Sequence, residues 1–309
     1  MVDYLAITGG VGGAKLALGL SHVLPADKLA FAVNTADDFE HLGFSISPDI
    51  DTLTYTLSDL ANRELGWGRQ DETWAFMDSL EQLGGETWFR LGDRDLALHA
   101  FRTAALRAGK SLTEVTSEIC QRLGIAQTVL PMSDDPVRTT VLTPEGPLAF
   151  QHYFVRDRCA PSVTGFEFRG ADGARLNPEI DALLPGLKGV IICPSNPFVS
   201  VDPLLTINDT RAKLSALDVP VVAVSPIVGG TAIKGPTAKM MAELKIPSTA
   251  AAVAAHYDGL IDGFVLDSRD EALVGTLDVP STATQSVMLT LADRIALAEA
   301  TLEFLASLD

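Results

Sequence analysis

Cysteine is scarce in this chain of 309 residues: Cys120, Cys159 and Cys193 are odd in number, widely spaced and form no Cys-x-x-Cys pair. That excludes a disulfide framework and a cysteine-rich zinc site, and it predicts a reducing, cytoplasmic compartment. Positive charge is short too, with 23 Lys+Arg against 40 Asp+Glu and a formal net charge of −17. Without surplus Lys and Arg to displace phosphate counterions, nucleic acid is excluded as a partner, and so is an anionic membrane surface. No apolar run approaches the roughly 18 residues of a membrane span. The N-terminus carries Asp3 and reaches Gly9, which is no signal-peptide pattern. Charged residues are only 20% against 47% hydrophobic, so disorder is excluded and a large core is expected.

Short apolar runs rich in Val, Ile and Ala are present at 4–8, 30–34, 189–193, 219–224 and 263–266, between longer helical patterns. Each reads as a buried parallel strand, and several run straight into Gly, Ser, Asn, Asp or Pro and then a helix. This rhythm predicts an α/β fold, a Rossmann-like doubly wound, mostly parallel sheet, in a single domain over 1–309. Residues 51–62, 71–83, 93–108 and 111–123 show helical periodicity with acid or Ser starts, and predict a helical insertion over 51–124. The turn Pro144-Glu145-Gly146-Pro147 between 137–143 and 148–155 predicts a β-hairpin. Residues 156–178 read as a mobile loop, and 283–308 as one long amphipathic helix.

The first strand enters Thr8-Gly9-Gly10-Val11-Gly12-Gly13-Ala14-Lys15, with a helix expected from about Gly13. Such glycines allow phosphate oxygens close to N–H groups at a helix N-terminus. Lys15 stands where a Rossmann fingerprint needs its third glycine, and Ala14-Lys15-Leu16 breaks a Walker A pattern. Phosphate binding is favoured here over a turn without ligand. The second strand ends in Asn34-Thr35-Ala36-Asp37-Asp38, and Asp49 and Asp51 follow. Asp37 could bind a dinucleotide ribose, which would make the chain an NAD(P)-dependent oxidoreductase. Four carboxylates within fifteen residues suggest instead a hard cation such as Mg²⁺ beside a diphosphate. Asp49 or Asp51 capping a helix near Thr52 is the simpler alternative. Asp93 would cap a further helix, bringing Asp95 and His99 to one face at i and i+4. Ser195, Asn196 and Ser225 follow later strands and would open onto the same crevice, with Lys234 and Lys239 as cations nearby.

Seven segments in order carry a resemblance: Gly-Gly-Val-Gly-Gly-Ala-Lys, Val-Asn-Thr-Ala-Asp-Asp, Pro-Asp-Ile-Asp-Thr, Leu-Gly-Asp-Arg-Asp-Leu, Pro-Met-Ser-Asp-Asp-Pro, Pro-Ser-Asn-Pro and Ser-Pro-Ile-Val-Gly-Gly. Together they closely resemble the 2-phospho-L-lactate transferase family of coenzyme F420 biosynthesis, including its phosphoenolpyruvate-using relatives. The resemblance implies transfer from a guanosine diphospho-ester of a small carboxylic acid to the ribityl hydroxyl of the deazaflavin Fo, with release of GMP and a need for Mg²⁺. It implies that Asp51, Arg90, Asp93 and His99 contact Fo, on the side formed by the 51–124 insertion. Gly9, Gly10, Gly12, Gly13, Lys15, Ser195, Asn196 and Ser225 would hold the nucleotide. Asp37 and Asp49 would hold Mg²⁺, and Asp51 or Asp37 would take the ribityl proton. Leu98 stands before His99 where many relatives have Thr. A homodimer is expected, from the resemblance and from the apolar face of the last helix.

Overall fold

A computed structural model describes residues 1–62, 67–232 and 235–308. Fourteen strands are described. They are β1 (Tyr4–Thr8), β2 (Leu29–Val33), β3 (Phe39–His41), β4 (Phe44–Ile46), β5 (Thr128–Pro131), β6 (Arg138–Thr143) and β7 (Gly146–Ala149). The rest are β8 (Gly165–Arg169), β9 (Gly189–Ile192), β10 (Val221–Val224), β11 (Ile227–Val228), β12 (Thr231–Ala232), β13 (Gly263–Asp267) and β14 (Ser281–Thr284). Seven of them form one parallel sheet in the order β14-β13-β10-β9-β1-β2-β5. The α/β, doubly wound architecture expected from the strand runs is therefore present.

The apolar runs are continuous because both sheet faces are covered. Successive side chains divide between two cores with a period of two. Leu5, Ile7, Ala30, Ala32, Val190 and Ile192 enter one core, while Ala6, Phe31, Val33 and Ile191 enter the other. The second core is closed by α1 (Gly10–Val23), by α2 (Pro48–Leu57) and by the C-terminal helix Leu291–Ala306. Three further helices, α3 (Ala75–Gln82), α4 (Asp93–Arg107) and α5 (Leu112–Arg122), lie between β4 and β5. Of these, α5 starts with a complete capping box made by Ser111 and Glu114. Ile46, Met77 and Leu91 form a small separate core there, packed with Phe39, Trp74 and Phe89.

Several expectations are corrected. α1 begins at Gly10 rather than Gly13, and α2 at Pro48, so neither Asp49 nor Asp51 is its cap; that position is Ser47. The hairpin's second arm is only Gly146–Ala149, followed by a wide helical turn at His152–Arg156. Residues 156–178 are not simply a loop, because β8 pairs antiparallel with β6 and makes the hairpin a three-stranded sheet. Phe166 and Phe168 on β8 pack against the main core, an apolar period of two hidden among Arg and Gly. The expected 283–308 helix is a strand, β14, a connection and then the helix from Leu291, with Thr290 and Asp293 as its capping box. Leu297, Ala298 and Leu305 of that helix are buried against α1 and the sheet, so its apolar face is consumed within the chain and gives no support to the expected homodimer. Among the described residues no helix is long and apolar enough to cross a membrane.

α1 and the C-terminal helix meet at Gly19, where an added Cβ would run into the Arg294 carbonyl. Gly19→Ala should therefore destabilise the fold by about 1–3 kcal/mol in urea unfolding, although helix propensity alone would favour alanine.

Candidate functional site

In an open α/β sheet the crevice lies at the carboxyl ends of the strands where the strand order reverses. Here that point falls between β1 and β9. It joins the glycine loop after β1 to the segment after β9, as the sequence suggested. Ser195 Oγ accepts a hydrogen bond from the Gly9 N–H at 3.2 Å and donates to the Gly9 carbonyl at 2.9 Å. The glycines are needed largely for this junction. A Cβ at Gly12 would strike the Pro194 carbonyl, and one at Gly13 the hydroxyls of Thr8 and Ser195. Gly10 alone of the four has left-handed backbone, with φ 65°.

The acidic residues converge beside this loop. Proline at the first helical position starts α2, and the first turn then carries Asp49 and Asp51. Asp49 Oδ1 accepts the Gly10 N–H at 2.7 Å and Oδ2 accepts Asn34 Nδ2 at 2.9 Å. Burial nevertheless raises the Asp49 carboxyl to about 6. Ser47, rather than capping α2, donates its hydroxyl to Asp38 Oδ2 at 2.8 Å. Burial lifts Asp38 to about 7 against the pull of Arg138. Asp37 is raised well above the usual carboxylate range by burial and then by the charges of Asp49 and Asp38. One oxygen each of Asp37 and Asp38 is buried with no hydrogen-bond partner.

Buried, mutually repelling carboxylates with unpartnered oxygens suit a hard cation. Among the described residues, however, no three His, Cys, Asp or Glu side chains are grouped as a metal-binding set. Asp37 and Asp49 would supply two oxygens and leave the other positions to water and phosphate, a division that Mg²⁺ favours.

Asp51 turns the other way, into the insertion. Its two oxygens are held by the Arg102 guanidinium, Nη1 to Oδ2 at 3.1 Å and Nη2 to Oδ1. Arg102 is 0% exposed. His99 is also buried, with Nδ1 3.3 Å from Arg102 Nη1 and Nε2 3.0 Å from Asp95 Oδ2. The expected i, i+4 pairing of Asp95 and His99 is therefore present. Tyr55 on α2 donates to Asp95 Oδ1 at 2.5 Å. Arg102, Tyr55, Asn34 and Ser47 were missing from the expected site. The signal for Arg102 lay in the spacing 95, 99, 102, where a helix would carry its apolar stripe and three polar residues stand instead.

Other expected ligands have jobs in the scaffold. Asp93 does not cap its own helix. Its carboxylate accepts from Thr73 Oγ1 and the N–H groups of Ala75 and Phe76, so it caps α3. Lys15 Nζ bonds the Met288 carbonyl at 2.9 Å. Asn196 Oδ1 accepts the Phe198 N–H, and Ser225 Oγ closes a turn with Ile227. Lys239 pairs with Glu243 and the Pro161 carbonyl, and Lys234 lies outside the described residues. Arg90 is exposed and sits 4.5 Å over the Trp74 ring. Near it, Phe39, His41, Trp88, Phe89 and His152 form a cluster of rings with neighbouring centroids 4.9–6.1 Å apart.

The raised Asp38 has a direct consequence. A native aspartate above its unfolded pKa keeps a proton that the unfolded chain has released, so its contribution to stability falls as pH rises. For Asp38 that window runs from about 4 to about 7. In metal-free buffer Asp38→Asn should thus be more stable than the parent at pH 8 by at least about 1 kcal/mol. The two should unfold alike near pH 4, as thermal melting would show.

Comparison with known proteins adds the chemistry. A family model described as 2-phospho-L-lactate transferase CofD matches residues 5–293. The chain is 38% identical over 268 residues to a 2-phospho-L-lactate transferase of Methanosarcina mazei, covering 87% of this chain and 88% of that protein. It is 39% identical over 302 residues to a phosphoenolpyruvate transferase of Kitasatospora aureofaciens, covering 96% and 94%. A crystal structure of a UPF0052 family member from Bacillus halodurans shares the fold, with a TM-score of 0.65 at 15% identity over 98% of this chain and 99% of that one.

Proposed function

The chain belongs to the 2-phospho-L-lactate transferase CofD family, and from that premise we propose that it transfers a phospholactyl-type group from a guanosine diphospho-ester to the ribityl hydroxyl of Fo. The group is phospholactyl, phosphoenolpyruvyl or phosphoglyceryl. The ribityl oxygen forms a new bond to the phosphorus bearing the acid, the bond from that phosphorus to GMP breaks, and a carboxylate takes the hydroxyl proton.

The observation that carries this reading is the first turn of α2. It joins a carboxylate bonded to the glycine-loop amide, Asp49, to one facing the insertion, Asp51. A nucleotide site at the α1 N-terminus and an acceptor site at the insertion would then meet across one helical turn. Positioning and charge neutralisation provide most of the rate in such transfers. The diphosphate is assigned to the loop of Gly9, Gly10, Gly12 and Gly13, where the Gly9 and Gly10 N–H groups already bond Ser195 and Asp49, with Lys15, Ser195, Asn196 and Ser225 around it. Asp37 and Asp49 would hold Mg²⁺, which when bound offsets charge on the diphosphate. Asp51 and Arg90 address the acceptor, and the ring cluster around Trp88 offers aromatic faces to a planar deazaflavin. Asp51 or Asp37 takes the ribityl proton. Asp93 and His99, turned to the scaffold, support this wall from behind.

Protein incubated with Mg²⁺, Fo and each of the three guanosine diphospho-esters should yield an F420-0-type product by mass with at least one donor. No product with any of them would refute the assignment. Asp51→Asn should lower turnover by at least about 100-fold while guanosine diphosphate still binds. Chelation of Mg²⁺ should stop turnover in the parent.

A further inference from the structure

Among the described residues, Arg102 is the largest fully buried side chain. It cannot reach a bound acceptor, yet it grips both oxygens of the carboxylate assigned to that acceptor. Its own setting is specified in turn. Nη1 also lies 3.3 Å from the Ser45 carbonyl and 3.3 Å from His99 Nδ1. A guanidinium only donates, and the two hydrogens of Nη1 are shared among Asp51 Oδ2, the Ser45 carbonyl and His99 Nδ1. His99 Nε2 lies 3.0 Å from Asp95 Oδ2, a close charge-pair contact rather than an aligned hydrogen bond, and Asp95 takes the Tyr55 hydroxyl on its other oxygen.

The contacts therefore run along one chain: the Tyr55 hydroxyl to Asp95, Asp95 against His99 Nε2, Arg102 to His99 Nδ1 and Arg102 to Asp51. Both ends of the chain, Asp51 and Tyr55, stand one turn apart on α2, and everything between them is on α4. The ring of contacts is closed, so no member can rotate without losing a contact elsewhere. A guanidinium fork fixes the plane of a carboxylate, which a point charge does not.

Building on the acceptor assignment above, we propose that Arg102 is a positioning residue that orients Asp51 toward the acceptor hydroxyl, itself aligned through His99, Asp95 and Tyr55. Asp51 thereby presents its remaining lone pairs in one direction, and the nucleotide side of the crevice does not depend on the device.

Steady-state kinetics with Arg102→Lys test this, because lysine keeps the charge and loses the fork. The expected result is a fall of about 100-fold in kcat/KM for Fo, the cost of a misplaced reacting group. The donor KM should stay within about twofold, since the side-chain bonds of Arg102 go to Asp51, His99 and Ser45 and to no residue assigned to the diphosphate. Parent-like kcat/KM for Fo in a folded Arg102→Lys protein would overturn the proposal, and so would a large rise in the donor KM. Should that variant not fold, Tyr55→Phe removes a single hydroxyl and is expected to lower kcat/KM for Fo by about fivefold; no change would overturn the proposal equally. If the parent protein makes no product, the acceptor assignment fails first, and that outcome is distinct from any variant's behaviour.

Discussion

A buried carboxylate must find a partner or give up its charge, and the centre of this molecule is organised around that constraint. Asp37, Asp38, Asp49 and Asp51 are all less than one-tenth exposed. Each meets the constraint differently. Asp51 receives a buried guanidinium, Asp49 a helix N-terminal amide and an asparagine, and Asp38 a serine hydroxyl. Asp37 keeps an unpartnered oxygen and is driven toward its neutral form. The four thus range from Asp51 and Asp49, partnered on both oxygens, to Asp38 and Asp37, each with an unpartnered oxygen, where a cation would have the most to offset.

The glycine loop gains a second meaning from the same geometry. Its glycines look like a phosphate cradle, and two of them are also compelled by the approach of Pro194 and Ser195 from the next strand. Loop packing and ligand approach ask for the same residue type, because both need backbone without a Cβ. What sets this loop apart from a plain turn is its neighbour. The Asp49 carboxylate already occupies the amide of Gly10, so the proposed diphosphate would have to share one electropositive helix end with it.

The net charge of −17 fits this arrangement better than it first suggests. To handle the anionic nucleotide proposed as its donor, a negative protein would need local compensation. Much of the visible positive charge is already committed: Arg102 to Asp51, Lys239 to Glu243, Lys15 to a carbonyl. On the proposed reading, compensation for the diphosphate would come from backbone amides and a divalent cation more than from lysines, which suits a crevice lined by acids.

The sequence by itself determined the parallel strands, because residues buried on both faces of a sheet must be apolar at every position, and it showed the order of the motifs that mark the family. It also brought Asp95 and His99 to one helix face, since that relation is a local period. Tertiary structure alone decided what those residues touch. Arg102 and Asp51 are fifty-one residues apart, and nothing local pairs them. Asp93 has the look of a cap for the helix it begins, yet it caps α3, because Thr73, Ala75 and Phe76 arrive through the fold and not along the chain. β8 escaped notice for a similar reason: its apolar alternation is short and interrupted by charge, and pairing with β6 is what makes it a strand. Periodicity encodes which way a side chain faces; the partner it meets there is set by how distant elements pack.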